Sequence, residues 1–208
     1  MALATYDDLV KEIIRWSQRD DQYEAIPDFI ALAEDYMYAN EIEPLRLRSM
    51  ETISTALTAG QYLALPDNFE YMRSVRLVTN DGGGELRYQA PEAMFKNPAT
   101  GRPSFFTIVG NEIQFGRVPD SDYTIEVQYY RKAEPLTKDN QTNEVMTKHP
   151  SLYLFGALAQ LFALTVDLQQ ENKYTAKFIA ALKGANKSAK KARYGAAPTM
   201  NLDCGMTP

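Results

Sequence analysis

The chain contains 208 residues, of which 45% are hydrophobic and 24% charged, and its formal net charge is −5. This composition is typical of folded globular proteins with one domain or two small ones, and it excludes collagen-like and wholly disordered chains. No apolar run approaches the roughly 20 residues that a membrane span requires, and residues 1–15 lack the pattern of a secretory signal. The single cysteine, Cys204, excludes an intrachain disulfide and a zinc site built from several thiolates.

Charge is distributed unevenly along the chain. Residues 1–43 hold 11 acidic side chains and three basic ones, whereas residues 173–193 hold seven basic side chains and no acidic one. The negative net charge argues against a protein that binds nucleic acid over its whole surface. The asymmetry predicts that the two ends of the chain present surfaces of opposite charge.

The first segment of the chain has the pattern of two helices. Thr5 and Asp8 form a capping box, and an apolar face follows at helical spacing, which predicts a helix over residues 6–19. Pro27 suits the first position of a second helix, because the backbone nitrogen there needs no hydrogen to donate. We expect this second helix to end near residues 40–44.

From Leu45 the pattern changes to alternation of apolar and polar residues, which predicts β-strands. Strands are expected at residues 45–57, 61–65, 71–79, 85–88, 104–109, 112–115 and 123–131. Gly110-Asn111 predicts a two-residue hairpin turn. The Gly82-Gly83-Gly84 tract predicts a hairpin tip, because it lacks the lysine and the helix that follow a phosphate-binding loop.

Helical periodicity returns after a polar connector at residues 135–143. Pro150 is predicted to open a helix that is apolar on most of its surface and therefore central to the core. A last helix is predicted over residues 172–193, with its lysines on one arc and a buried face opposite them. Residues 194–208 lack any period, so we expect an arm that becomes ordered when it binds a partner.

This order of elements predicts an α+β fold, in which helices from both chain ends form a bundle and an antiparallel β domain is inserted between them. The predicted bundle domain comprises residues 1–44 and 144–194. The inserted sheet or sandwich comprises residues 45–143, and a flexible C-terminal arm comprises residues 195–208.

No group of residues predicts a catalytic, cofactor or metal site. His149, the only histidine, lies beside Pro150 without a nucleophile motif, so a role at the helix start is favoured. Adjacent carboxylates, as in Asp20-Asp21 and Glu34-Asp35, point about 100° apart on a helix and do not converge. We therefore expect no enzyme activity, no cofactor and no metal.

The sequence leaves two specific functions open, glycan hydrolysis and carbohydrate binding. A hydrolase of cell-wall glycan would need separated carboxylates, such as Glu24 and Glu34, to converge. A carbohydrate-binding β module would use strand tyrosines such as Tyr129 and Tyr130 as a stacking platform. Tyrosine is also a common packed residue of strands, which is the favoured interpretation.

Several segments resemble the head-to-tail adaptor proteins of short-tailed, podovirus-like bacteriophages, the family of tail tubular protein A. These segments fall within residues 5–194 and are Thr5–Val10, Ile26–Glu34, Arg46–Thr52, Tyr62–Phe69, Tyr129–Tyr130 with Pro135–Leu136, and His149–Leu158. They are packing and turn motifs without catalytic chemistry, which suits a structural protein.

The resemblance implies a virion structural protein that is assembled in the host cytoplasm and located in the neck. It implies a dodecameric ring that docks on the portal protein and attaches tail hub or nozzle proteins. Packaged DNA would pass through the ring without sequence-specific binding, and no membrane is involved.

The unequal charge and the unperiodic tail suggest which residues make these contacts. The expected portal or subunit contacts are Lys183, Lys187, Lys190, Lys191, Arg193 and Tyr194. Their expected acidic counterparts on a neighbouring subunit are Asp7, Glu12, Asp20 and Asp21.

Overall fold

The computed structural model describes residues 3–40, 43–58, 60–78, 83–94 and 99–193. The chain divides into two compact units, residues 1–48 with 134–208, here called the helical unit, and residues 49–133, here called the β unit. The presence of helices and of sheets confirms the α+β class. The predicted arm at residues 195–208 lies outside the described residues, and the proposed division into independent domains stays a prediction.

In the helical unit, a central helix is surrounded by elements from both chain ends. The helices are α1 (Tyr6–Ser17), α2 (Ile26–Tyr38), α3 (Glu144–Lys148), α4 (Pro150–Leu164) and α5 (Leu168–Arg193). Helix α4 contacts the other four. Its buried residues lie on most sides, as the sequence predicts for a core helix.

The start of α1 follows the predicted capping chemistry. The Asp8 backbone N–H donates to Thr5 Oγ1 at 3.2 Å. A hydrogen bond from the Thr5 side chain to the Asp8 carboxylate lowers the pKa of that carboxyl below its ordinary value. The helix ends at Ser17 because Gln18 adopts a left-handed φ of 55° and its N–H donates to the Ile14 carbonyl. A 3-10 helix, Asp20–Ala25, then leads into α2.

Helix α4 lies very close to two neighbouring helices at Gly156. A Cβ atom at this position would lie 2.7 Å from Ala33 Cβ and 3.2 Å from two ring carbons of Phe178. Ala33 belongs to α2 and Phe178 to α5, and both are buried. The missing side chain of Gly156 therefore allows three helices to meet at one point.

In the β unit, two sheets enclose an apolar core. The strands are β1 (Glu51–Leu57), β2 (Tyr62–Ala64), β3 (Phe69–Val78), β4 (Arg87–Tyr88), β5 (Phe105–Val109), β6 (Glu112–Phe115) and β7 (Thr124–Arg131). One sheet has the order β1-β7-β3 and the other β2-β6-β5-β4. Val75, Ile113, Phe115 and Ile125, which come from both sheets, form the fully buried centre of one core.

The turn between β5 and β6 is the predicted two-residue hairpin. Val109 pairs with Glu112 across the turn. Gly110 has φ of 60°, whereas Asn111 is not among the residues with positive φ. Positive φ at the first position alone is the pattern of a type II′ turn, in which glycine is preferred.

Two strand predictions are wrong in detail. The first strand starts at Glu51 and not at Leu45, because Leu45 and Leu47 are buried alternately in an extended linker of the helical unit before a 3-10 turn at Arg48–Met50. Strand β4 pairs with β5 in parallel, so the second sheet is mixed. A long connection between these two strands permits the parallel pairing that a tight turn would forbid.

The chain reverses direction around the glycine tract. Arg76 and Glu85 form an antiparallel bridge, and the Leu77 N–H donates to the Gly84 carbonyl at 2.9 Å. This pairing is the one expected beside a hairpin tip, whereas residues 79–82 themselves lie outside the described residues. Across the described part of the chain, no helix combines the length and the apolar character needed to cross a bilayer.

Candidate interaction surfaces

Helix α5 separates a buried face from a lysine-rich face, as the sequence predicts. Its buried residues include Tyr174, Phe178, Leu182, Ala185 and Ala189. The opposite arc carries six exposed lysines, here called the basic face: Lys173, Lys177, Lys183, Lys187, Lys190 and Lys191. This face can attract an acidic partner, and salt would weaken that attraction.

In the N-terminal half of the basic face, aromatic rings surround Lys177. Lys177 Nζ lies 5.8 Å from the ring centroid of Trp16 and 5.4 Å from those of Phe155 and Tyr174. Such cation–π contacts stabilise a lysine close to the protein surface. Lys177 therefore contributes to packing between α1, α4 and α5.

The C-terminal half of the basic face is more available. Lys190 Nζ pairs with Glu43 Oε1 at 2.8 Å. Within the described part of the chain, the side chains of Lys183, Lys187 and Lys191 make no hydrogen bond or ion pair and are exposed. These three lysines are the ones most available to a partner. The Arg193 side chain and Tyr194, also predicted as contacts, lie outside the described residues.

A buried amide supports this half of α5. Asn186 is almost fully buried. Its Oδ1 accepts from the Arg46 N–H at 2.9 Å, and its Nδ2 donates to the Pro44 carbonyl at 3.0 Å. The amide thus fixes the linker after α2 against α5. Asn186 is not among the residues predicted from the sequence, although a polar residue on the apolar arc of a helix is a recognisable signal.

The four predicted acidic contacts differ in availability. Glu12 accepts from Arg15 at 3.1 Å and from Trp16 Nε1 at 3.0 Å within its own helix. Asp21 accepts two hydrogen bonds from Arg19, which lower the pKa of the Asp21 carboxyl to about 2.

Asp7 Oδ1 is 3.5 Å from Gln141 Nε2, and Asp20 is exposed with no hydrogen bond or ion pair within the described residues. Asp7 and Asp20 are therefore freer for contact with a neighbour than Glu12 and Asp21. The role of all four residues in subunit contact stays a prediction.

A groove of about 640 Å³ opens in the helical unit between α1, α2 and the segment before α3. It is mainly apolar, with several charged residues among its lining. The lining residues are Tyr6, Asp7, Val10, Lys11, Ile14, Tyr23, Glu24, Ile26, Pro27, Ala31, Glu34, Pro135, Leu136, Thr137 and Lys138.

Glu24 and Glu34, the pair considered for glycan hydrolysis, both line this groove. Glu34 Oε1 accepts from the Tyr153 hydroxyl at 2.7 Å and from the Leu136 N–H at 2.9 Å. Burial, followed by the nearby Glu34 carboxylate, raises the pKa of Tyr153 well above its ordinary value. Asn143 Nδ2 adds a hydrogen bond to the Tyr153 hydroxyl at 2.7 Å, so Glu34 belongs to a structural network.

The described residues support neither the tyrosine stacking platform nor a metal site. Tyr129 and Tyr130 are each only 5% exposed, and the Tyr129 hydroxyl lies 3.0 Å from Asn68 Oδ1. They are packed strand residues and do not form an exposed stacking platform. Within the described ranges, no group of three or more potential ligand residues could hold a metal ion.

His149 lies at the start of α4, as its sequence context predicts, and directly after α3, a short helix that was not predicted. Its backbone N–H donates to the Val145 carbonyl at 2.7 Å, and its carbonyl accepts from the Leu152 N–H at 3.0 Å. Burial, with a smaller contribution from Lys148, lowers the pKa of the imidazole. The residue thus connects two helices through its backbone and carries a neutral ring at pH 7.

Comparison with known proteins identifies the family. The sequence matches the SU10 adaptor protein family over residues 4–200, which is nearly the whole chain. The chain therefore belongs to this family of phage head-to-tail adaptors and is a structural protein of the virion. No curated protein matches it. Family membership confirms the adaptor prediction made from the sequence motifs.

Proposed function

From its membership of the SU10 adaptor protein family, we propose that this chain forms a ring that docks on the portal protein and attaches tail components. The family match over both units carries this proposal. Assembly takes place in the host cytoplasm, and packaged DNA passes through the ring without sequence-specific contacts. A dodecameric ring would present many copies of each surface, so that individually weak contacts add up to stable attachment.

The C-terminal half of the basic face is proposed as the portal contact. Lys183, Lys187 and Lys191 are exposed on one side of α5 and have no partner within the described residues. Asn186 lies between them in the sequence and fixes α5 against the linker that follows α2, through Pro44 and Arg46. A rigid row of positive charges is suited to an acidic surface, where it increases the rate and the specificity of association.

Co-sedimentation with purified portal protein tests this contact. Replacing Lys183, Lys187 and Lys191 by glutamate should reduce binding at least tenfold and remove most of its salt dependence. The matched control replaces three exposed bases elsewhere, Lys148, Arg87 and Arg117, by glutamate, which gives the same net charge. Equal loss in both variants would assign the effect to net charge and would contradict a specific surface.

Truncation after Arg193 tests the predicted arm separately. Failure of the truncated chain to join the portal, with an unchanged helical unit by circular dichroism, would support an arm that orders on binding. Normal joining would reject the arm as a portal contact.

Glycan hydrolysis is kept as a second candidate because Glu24 and Glu34 line the same groove. The hydrogen bonds from Tyr153 and Leu136 already occupy Oε1 of Glu34, which favours a structural role for this carboxylate. Dye release from labelled peptidoglycan decides between the roles. Turnover that Glu24→Gln or Glu34→Gln abolishes would establish an enzyme, whereas no release above background would reject it.

A further inference from the structure

The turn between α4 and α5 has an unusual residue at its critical position. The Asp167 N–H donates to the Phe162 carbonyl at 3.0 Å and the Val166 N–H to the Ala163 carbonyl at 3.2 Å. These two hydrogen bonds define a Schellman motif, in which the residue after the C-cap adopts a left-handed conformation and is usually glycine. Here that residue is Val166, with φ of 58°.

Valine is disfavoured at this position for two independent reasons. A β-branched residue with positive φ is a genuine outlier, because its branched Cβ crowds the backbone. The side chain is also 77% exposed, and its neighbours Leu164 and Leu168 are 58% and 64% exposed. The turn thus displays three aliphatic side chains, Leu164, Val166 and Leu168, here called the apolar knob. The positive φ of Val166 adds conformational strain that a glycine would avoid. Strain and exposure at one residue indicate a contact function.

The groove described above is a suitable receptor for the apolar knob. Its accessible apolar lining residues include Ile14, Tyr23, Pro27 and Ala31, and buried residues such as Val10 and Ile26 lie beneath them. Its volume of about 640 Å³ falls in the range of roughly 300–1,000 Å³ that is usual for pockets that enclose a ligand. The groove is therefore large enough for aliphatic side chains at a turn.

The knob cannot fill the groove of its own chain. The Tyr153 hydroxyl donates to Glu34, which lines the groove. Leu164 lies at the other end of the same helix, about 16 Å further along its axis at a rise of 1.5 Å per residue. Only another copy of the chain can bring a knob to this groove.

Charged residues around the two surfaces are complementary. Lys11 and Lys138 line the groove and are exposed. Asp167 and Glu171 flank the knob; Asp167 Oδ1 also accepts the Gln170 N–H at 3.1 Å. Lys173, two residues beyond Glu171, is the basic counterpart for the acidic lining residues Asp7 and Glu24 of the neighbouring copy; its Nζ also donates to Gln170 Oε1 at 3.1 Å. Opposite charges at the rim of an apolar contact favour one orientation of the partner.

We propose that the apolar knob of Leu164, Val166 and Leu168 inserts into the groove between α1, α2 and residues 135–138 of a neighbouring copy. This contact uses different surfaces on the two copies and is therefore heterologous, the type that closes into rings. The inference rests on the proposed ring and identifies the subunit contact within it.

The variant Val166→Gly separates contact from folding. Glycine adopts positive φ without strain, so the melting temperature should be unchanged or a few degrees higher. Self-association, measured by sedimentation velocity with and without purified portal, should weaken at least tenfold. Leu168→Ser should weaken it similarly, whereas Leu32→Ser, an exposed leucine of α2 outside the groove lining, should have no effect.

Mixing of variants provides the decisive test. A knob variant, Val166→Gly with Leu168→Ser, retains its groove, and a groove variant, Ala31→Arg, retains its knob. Each alone should be monomeric, and their mixture should form one-to-one dimers that grow no further. Monomers in the mixture, or unchanged association of either variant alone, would overturn the proposal. Portal co-sedimentation of the wild-type chain is scored separately, so that failure of portal docking is distinguished from failure of this subunit contact.

Discussion

The helical unit and the β unit bury their cores in different ways. In the helical unit, α4 is apolar on most sides and packs against helices from both ends of the chain. In the β unit, the core lies between two sheets whose strands include segments of only two to four residues. The groove, the basic face, the apolar knob and the buried amide of Asn186 all belong to the helical unit. The helical unit therefore carries the candidate assembly surfaces, and the buried amide of Asn186 supports one of them, the C-terminal half of the basic face.

Removal of a large side chain from the core of the β unit should have the largest effect on stability. The same variant tests whether the cores of the two units unfold independently. Phe115→Ala should lower the free energy of unfolding by about 3–5 kcal/mol, because it removes a buried ring and leaves a cavity. Amide hydrogen exchange should increase in β3, β6 and β7 and stay unchanged in α4. An equal increase in α4 would show that the two units unfold together and would contradict the predicted domains.

The close packing at Gly156 gives the next largest effect. Gly156→Ala should destabilise the helical unit by about 3 kcal/mol, since the new methyl group would overlap Ala33 Cβ and crowd the Phe178 ring. Gly184→Ala is the matched control, because nothing lies within 4 Å of its Cβ position in α5. The control should gain about 1 kcal/mol from helix propensity. Thermal unfolding of both variants measures the difference, and a stabilised Gly156→Ala variant would refute the three-helix contact.

The buried amide of Asn186 predicts an intermediate effect. Asn186→Ala removes the buried hydrogen bonds to the Arg46 N–H and the Pro44 carbonyl and should cost about 2 kcal/mol. Chemical denaturation measures this loss. Ser188→Ala, at an exposed position of the same helix, should change stability by less than about 0.5 kcal/mol. Similar values for the two variants would mean that the amide does not fix the linker.

The smallest expected effect is on the pH dependence of the melting temperature, through His149. Burial lowers the pKa of its imidazole below the ordinary value of 6.5, so the unfolded chain takes up the proton first as the pH falls. The contribution of the neutral ring to the free energy of unfolding is fully present above pH 6.5. It is lost as the pH falls from 6.5 through the lowered pKa of the folded state. The melting temperature should therefore fall less between pH 7.5 and pH 5 in His149→Gln than in the wild type. Identical falls would contradict this role.

Sequence patterns predicted the elements that depend on local chemistry. The capping box at Thr5, the hairpin turn at Gly110 and the helix start at Pro150 each depend on residues close together in the chain. The alternation at Leu45 and Leu47 was misleading, because a linker that follows a surface also buries every second residue. Periodicity alone cannot distinguish such a linker from a strand.

The features that depend on tertiary contact were beyond the sequence. Asn186 could not be matched with Pro44 and Arg46 before the fold brought them together, since 142 and 140 residues separate them in the chain. Val166 gave no signal, because its significance lies in a backbone angle that glycine usually adopts. The six lysines were correctly placed on one face, but only the structure shows which of them already have partners.

Electron microscopy of the phage neck, at a resolution that distinguishes helices, tests the adaptor account most directly. We predict a ring of copies of this chain between the portal and the tail, with the C-terminal half of each basic face against the portal. Density for a different polypeptide at this position, or particles whose neck lacks this chain, would contradict the account.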